Sequence, residues 1–174
     1  MKKELMNYKS IRVIVILALF NFIFLGTEYM FDNMMANVID SKGVVAAQSY
    51  IFGASVIGFI LFPIINRFIK EKNKFSIVFA TSMVSIICIF IIKQHTSYKS
   101  ILISGLVIFV ILGIVGSAVH YIAACALNNR KNLAKTVGMA YGVGILLQFI
   151  NNNFINNDTT ESMVLWVFLV ILLF

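Results

Sequence analysis

Six long apolar stretches, separated by short polar or basic segments, dominate the pattern of this chain. A helix needs about 20 mostly apolar residues to cross the hydrocarbon core of a bilayer. The strands of a membrane barrel would instead give short segments of alternating polarity. The pattern therefore predicts an all-α, polytopic bundle with about six transmembrane helices, at approximately residues 11–37, 44–69, 75–93, 101–127, 136–155 and 163–174.

The last of these stretches is shorter than the others, because the chain stops at Phe174 inside the apolar run SMVLWVFLVILLF. No polar flank and no basic anchor follows this run. We therefore expect a single membrane domain over residues 1–174 whose last helix is cut off, as in a fragment of a longer protein.

Composition narrows the class of protein further. The chain is 60% hydrophobic and 12% charged, whereas soluble domains are roughly 45–50% apolar and about 25% charged. So few polar groups cannot cover a surface in water, and the lipid bilayer is the expected surrounding. The net charge of +7 does not indicate a nucleic-acid partner, because the basic residues lie between the apolar stretches.

The distribution of basic residues predicts the orientation. Cytoplasmic loops of membrane proteins carry an excess of Lys and Arg. With the N-terminus in the cytoplasm, the inside segments hold 11 of the 14 basic residues. We therefore expect a multi-pass protein of the cell (inner or plasma) membrane with a cytoplasmic N-terminus. The inside residues are Lys2, Lys3, Lys9, Arg12, Arg67, Lys70, Lys72, Lys74, Arg130, Lys131 and Lys135.

The first span carries the unusual polar residues of the chain. Asn21, Glu28 and Asp32 are spaced by seven and four, which places them on one helical face. A charge at the bilayer centre costs about 3 kcal/mol or more, so it usually faces a cavity or a partner. We expect Glu28 to face a cavity. Asp32 lies nearer the outer end, where it is either a working group or a solvated helix end.

The fourth and fifth spans carry small and polar residues at helical spacing. Gly113, Gly116, Gly138 and Gly142 suit close helix packing, because small residues let membrane helices approach each other. His120 is either a proton-relay group or a hydrogen-bonded residue near the inner interface. Further candidates for a substrate or ion pathway, beside Glu28 and Asp32, are Asn21, Ser117, His120, Tyr141 and Gln148.

The sequence contains no motif for a metal or another cofactor, and none is expected. Ser117 and His120 share a helix face, but no nucleophile elbow or oxyanion-hole signature accompanies them. We therefore expect no enzymatic activity.

The loop FPIINRFIKEKNK, between the second and third spans, resembles the signature loop of the major facilitator superfamily. That signature is Gly, three residues, Asp-Arg, any residue, Gly and two basic residues. Arg67 and Lys70 match it, and Asn66 stands where the family has Asp. The placement of the polar helices is also similar to the N-terminal half of such a transporter, where the first and fourth helices line the cavity.

The resemblance implies six helices built as two three-helix repeats. It implies a secondary transporter that moves a small solute by alternating access, with or without proton coupling. A second bundle, or missing C-terminal half, is then required, and we expect the chain alone to be inactive. The alternative is a non-transporting six-helix membrane protein, such as an assembly partner, an immunity factor or a sensor subunit.

Overall fold

The computed structural model describes residues 8–68, 97–127 and 130–154, together with residues 164 and 167. These residues form four helices, α1 (Tyr8–Ala36), α2 (Ser41–Phe68), α3 (Tyr98–Ala126) and α4 (Arg130–Phe154). They correspond to the first, second, fourth and fifth predicted spans. Each begins three to six residues earlier than predicted and ends one residue earlier. The third and sixth predicted spans lie outside the described residues, apart from Val164 and Val167.

All four helices contain stretches that are long and apolar enough to cross a membrane. These stretches are Ser10–Ala36, Ser41–Phe68, Tyr98–Ala126 and Leu133–Phe154. No strand occurs in the part of the chain that the structure describes. The described part is therefore all-helical and membrane-embedded, as the composition predicts.

Short polar segments begin α2 and α3. The Oδ1 atom of Asp40 accepts a hydrogen bond of 3.0 Å from the Gly43 amide. The Oγ atom of Ser97 accepts one of 3.4 Å from the Ser100 amide. Both side chains satisfy backbone donors that have no partner within the first turn of a helix.

α2 and α3 run parallel to each other. The ring of Phe52 lies 6.5 Å from that of Phe109, and the ring of Phe62 lies 6.2 Å from that of Tyr121. The contacts thus advance in the same direction along both helices. The chain therefore leaves α2 at one end of the bundle and enters α3 at the opposite end.

α1 lies at the centre of the described bundle and runs antiparallel to α3. The ring of Phe31 packs on Phe109 at 6.4 Å, as does Phe24 at 5.3 Å. Phe20 packs further along α3, 6.0 Å from the ring of His120. Residues of α1 take part in both apolar clusters of the core, so this helix connects α2 and α3 on one side with α4 on the other.

Glycines allow the closest helix crossing. A Cβ atom added to Gly58 would lie 2.9 Å from the Cα of Gly113, and one added to Gly113 would lie 2.9 Å from the Cα of Gly58. A Cβ at Gly116 would meet the rings of Phe20 and Phe59. The close packing predicted for Gly113 and Gly116 is therefore confirmed.

The described residues give no support to the same prediction at Gly138 and Gly142. A Cβ atom added at either position would have no neighbour within 4 Å among the described residues. Gly144, on another face of α4, takes that role instead. A Cβ there would lie 2.8 Å from the carbonyl oxygen of Ala18 in α1.

Candidate functional site

An open cavity of about 330 Å³, lined by both polar and apolar side chains, lies between α1 and α4. Its residues recur every three or four positions on each helix, so each helix presents one face to it. The two helices run parallel here, so equivalent turns stay side by side. The lining residues are Leu25, Glu28, Tyr29 and Asp32 from α1, and Ile145, Gln148, Phe149 and Asn152 from α4.

Gln48 of α2 connects the two acids of α1. Its Nε2 atom donates one hydrogen bond of 2.6 Å to Oε1 of Glu28 and another of 3.1 Å to Oδ2 of Asp32. One amide reaches both carboxylates because Glu28 and Asp32 are one helical turn apart. The two acids therefore belong to one site.

The amide is neutral and leaves the carboxylate charges unbalanced. No Lys, Arg or His is among the described side chains that line the cavity. Unbalanced carboxylates inside a membrane bundle favour a cation, a proton or water as the missing partner. The cavity is therefore an acidic site that has no basic side chain among its described lining residues.

Two buried oxygen atoms at the cavity have no hydrogen-bond partner among the described residues. They are Oδ1 of Asp32 and Oε1 of Gln148. The other end of the Gln148 amide is bound, because its Nε2 donates to Oδ1 of Asn152 at 2.6 Å. Leaving a buried acceptor unpaired costs about 1–3 kcal/mol. A donor brought by a ligand would remove that cost.

Asn21 lies on α1 seven residues before Glu28 and also faces α4. It is 6% exposed, and its Nδ2 atom has no partner within the described part of the chain. A Cβ atom at Gly144 would lie 2.7 Å from the Cβ of Asn21, so the two helices touch at this point. Asn21 is therefore at the α1–α4 contact, but it does not line the cavity.

A second polar pair joins α3 to α4. Nδ1 of His120 lies 2.7 Å from the carbonyl oxygen of Gly116, and Nε2 lies 3.2 Å from the hydroxyl of Tyr141. A carbonyl only accepts, so Nδ1 donates, and in the neutral imidazole the tyrosine hydroxyl donates to Nε2. Tyr141 precedes Gln148 by seven residues, or about 10 Å along the helix. This pair is therefore separate from the cavity.

Of the residues predicted to line a pathway, the structure brings Glu28, Asp32 and Gln148 together in one cavity. His120 and Tyr141 form the separate pair. Ser117 is half-buried and belongs to neither group.

The motif at the end of α2 is only partly described. Asn66 is half-buried and its Oδ1 atom has no partner among the described residues, whereas Arg67 is exposed. Both lie in the last turn of α2 rather than in a loop. Lys70 lies outside the described residues.

Gln48, Tyr29, Phe149 and Asn152 belong to the site but were not singled out from the sequence. Gln48 is the only long polar side chain within VVAAQSYIF, which is a detectable signal. Its partners on α1 follow only from the packing. Within the described residues, no group of three or more His, Cys, Asp or Glu side chains is placed to hold a metal ion.

Comparison with known proteins finds no match for this chain, whether among family models, curated proteins or solved structures. The candidate site is therefore defined by its geometry.

Proposed function

We propose that the chain is the first half of a major facilitator-type secondary transporter, which moves a small solute by alternating access. The observation that carries this proposal is the acidic cavity between α1 and α4. Ionisable residues inside membrane bundles mark substrate and ion pathways more often than structural positions, because their burial is costly. Here two carboxylates and a buried amide converge on one cavity in an otherwise apolar bundle.

The pairing of the helices supports the repeat that this proposal requires. If spans one to three and four to six form two repeats related by a two-fold axis, span one corresponds to span four, and span two to span five. The contact of span two with span four is then equivalent to that of span five with span one. These two pairs, α2 with α3 and α1 with α4, are the most extensive helix contacts in the described bundle.

Both equivalent pairs are also built in the same way. Each pair is parallel, and each has a glycine at which the backbones meet, at Gly58 and Gly113 in one pair and at Gly144 in the other. Alternating membrane crossings already make both pairs parallel. A shared repeat also accounts for the glycine contact in each pair.

The direction of the helices supports a third span as well. Because α2 and α3 are parallel, Phe68 and Ser97 lie at opposite ends of the described bundle. The third span that the sequence predicts, at residues 75–93, would account for this separation of the two ends.

The partners of the chain follow from the same proposal. The bilayer surrounds the bundle, the solute occupies the cavity, and a second bundle faces it across the transport path. The N-terminus lies in the cytoplasm. The solute moves only when the two bundles rock against each other, so the chain by itself does not transport.

Labelling of the cavity from the two sides of the membrane tests the proposal. We would place a cysteine at Asn152, after Cys88→Ser and Cys125→Ser, in cells that carry the gene in its own genetic context. Inside-out and right-side-out vesicles are then treated with a membrane-impermeant maleimide. Alternating access predicts that Asn152→Cys is labelled from both sides.

Lys42 provides the matched control, because it is exposed at the start of α2 beside the turn from α1. Lys42→Cys should react from one side only. Reaction of Asn152→Cys from one side only would contradict alternating access and favour the non-transporting alternative.

A further inference from the structure

We propose that the solute held by this cavity is a protonated amine carried on a compact apolar or aromatic body. This inference rests on the proposed function, because it names the substrate class of the same site. Three properties of the cavity define that class: its charge, its unpaired hydrogen-bonding atoms and its walls.

The charge of the cavity selects a cation. Within the described bundle, Glu28 and Asp32 share one neutral donor, the amide of Gln48, and no basic side chain is among the described lining residues. A cation is attracted to such a pair and an anion is repelled. The solute therefore carries a positive charge.

The unpaired atoms select a cation that has N–H groups. Oδ1 of Asp32 and Oε1 of Gln148 are both acceptors without a partner in the described bundle, and the Gln148 side chain is only 7% exposed. Gln48 acts as a positioning residue, because it binds the other oxygen of Asp32 and leaves Oδ1 without a partner among the described residues. An ammonium group offers up to three donors, whereas a quaternary ammonium offers none.

The walls of the cavity select an organic body. Tyr29 and Phe149 contribute aromatic rings, and Leu25 and Ile145 contribute aliphatic surface. Aromatic faces attract cations, and the volume of about 330 Å³ is at the small end of ligand pockets. A bare metal ion would leave most of this space unfilled. A primary or secondary amine with one ring or a short branched chain fits it.

Calorimetric titration of the full chain tests the proposal, using protein purified in detergent with any partner that copurifies. Four ligands of matched shape separate the requirements: 2-phenylethylammonium, its N,N,N-trimethyl derivative, 2-phenylethanol and 3-phenylpropionate. The amine should bind about tenfold more tightly than the trimethyl derivative, which has the charge but no N–H donor. It should also bind about tenfold more tightly than the alcohol, which has a donor but no charge. The anion should not bind.

Variants of the chain connect that binding to the cavity. Glu28→Gln and Asp32→Asn should each weaken amine binding about tenfold. Asp40→Asn removes the same charge from the exposed turn between α1 and α2 and keeps the oxygen that caps α2, so it should bind like the wild type. Gln148→Leu should weaken binding of the amine more than binding of the trimethyl derivative.

Several results would overturn the inference. The first is equal affinity for the amine and for either its trimethyl derivative or the alcohol. The second is no binding of the amine to wild-type protein that is helical and monodisperse. The third is a heat of binding with sodium chloride that potassium chloride does not give, which would indicate a sodium site. The comparison of ligands uses wild-type protein, so it decides the question even if Glu28→Gln does not fold.

The inference and the proposed function fail in different ways. Amine binding together with one-sided labelling of Asn152→Cys would refute transport and leave the ligand class standing. Two-sided labelling without amine binding would refute the ligand class and leave alternating access standing.

Discussion

Replacing Gly58 with alanine tests whether the α2–α3 crossing holds the bundle together. The added Cβ atom would lie 2.9 Å from the Cα of Gly113 and would also clash with the backbone carbonyl of Val110. Both neighbours belong to the backbone of α3, so no side chain can rotate away to make room. The helices themselves have to move apart.

The size of the effect follows from this geometry. Carbon atoms in contact are ordinarily about 3.5–4.0 Å apart, so the crossing has to open by roughly 1 Å. Overpacking of this kind costs about 1–3 kcal/mol. The loss is concentrated in the most extensive contact of the described bundle.

Gly53 supplies a matched control on the same helix. A Cβ atom added there has no described neighbour within 4 Å. Both substitutions replace a helical glycine with alanine and gain the same helix propensity, about 0.5–1 kcal/mol. The difference between Gly58→Ala and Gly53→Ala therefore isolates the crossing, and we expect it to be about 1–3 kcal/mol.

Reversible unfolding in mixed detergent micelles, followed by far-UV circular dichroism, measures that difference. The free energy of unfolding should fall for Gly58→Ala and stay the same or rise for Gly53→Ala. Equal stabilities, or a more stable Gly58→Ala, would refute the packing of α2 on α3 described above.

Three further substitutions address the other contacts, with the same unfolding measurement. Gln48→Leu should lower the free energy of unfolding by about 1–3 kcal/mol, because both α1 carboxylates lose their donor. Ser49→Ala, next in the chain, should change it by less than about 0.5 kcal/mol. Equal effects of the two substitutions would count against the hydrogen bonds from Gln48 to Glu28 and Asp32. Gly144→Ala should cost about 1–3 kcal/mol through its clash with the α1 backbone, and an unchanged stability would contradict that contact. Tyr141→Phe should lower the free energy of unfolding by about 0.5–1.5 kcal/mol. The loss is limited to one hydrogen bond, because the other ring nitrogen of His120 keeps its bond to Gly116. A larger loss would show that the contact between His120 and Tyr141 contributes more to stability than one hydrogen bond.

The bounds of the described helices were predictable because the bilayer fixes the length of apolar sequence that a crossing needs. The ends agree to one residue. The starts come earlier because polar residues, such as Ser41 and Arg130, continue the helix beyond the apolar core. Hydropathy alone does not detect such residues as helical.

The partners within the site were less predictable. Sequence spacing places Glu28 and Asp32 on one face of α1, but it does not say which helix that face meets. The hydrogen bonds from Gln48 depend on the tight turn that folds α2 back along α1. The same turn explains why Asp32, near the end of α1, shares a donor with Glu28.

The packing of glycines was predictable only in part for the same reason. Spacing in the sequence identifies small residues that recur on one face, as Gly138 and Gly142 do. It does not show whether another helix lies against that face. In the described bundle α1 meets α4 at Gly144 instead, on a face that contains Gln148 but not the Gly138–Gly142 pair.

The position of the cavity follows from the direction of the helices. Parallel helices rise by the same 1.5 Å per residue, so polar residues at similar spacing stay opposite one another. Glu28 and Asp32 on α1 therefore share a cavity with Gln148 and Asn152 on α4, spaced by four in both helices. An antiparallel partner would exchange the pairing and place Asn152 beside Glu28 and Gln148 beside Asp32. α4 is parallel to α1 because it follows α3 after a short connection and α3 runs antiparallel to α1. The pairing of acids with amides in the site therefore depends on the order of the membrane crossings as well as on the acids themselves.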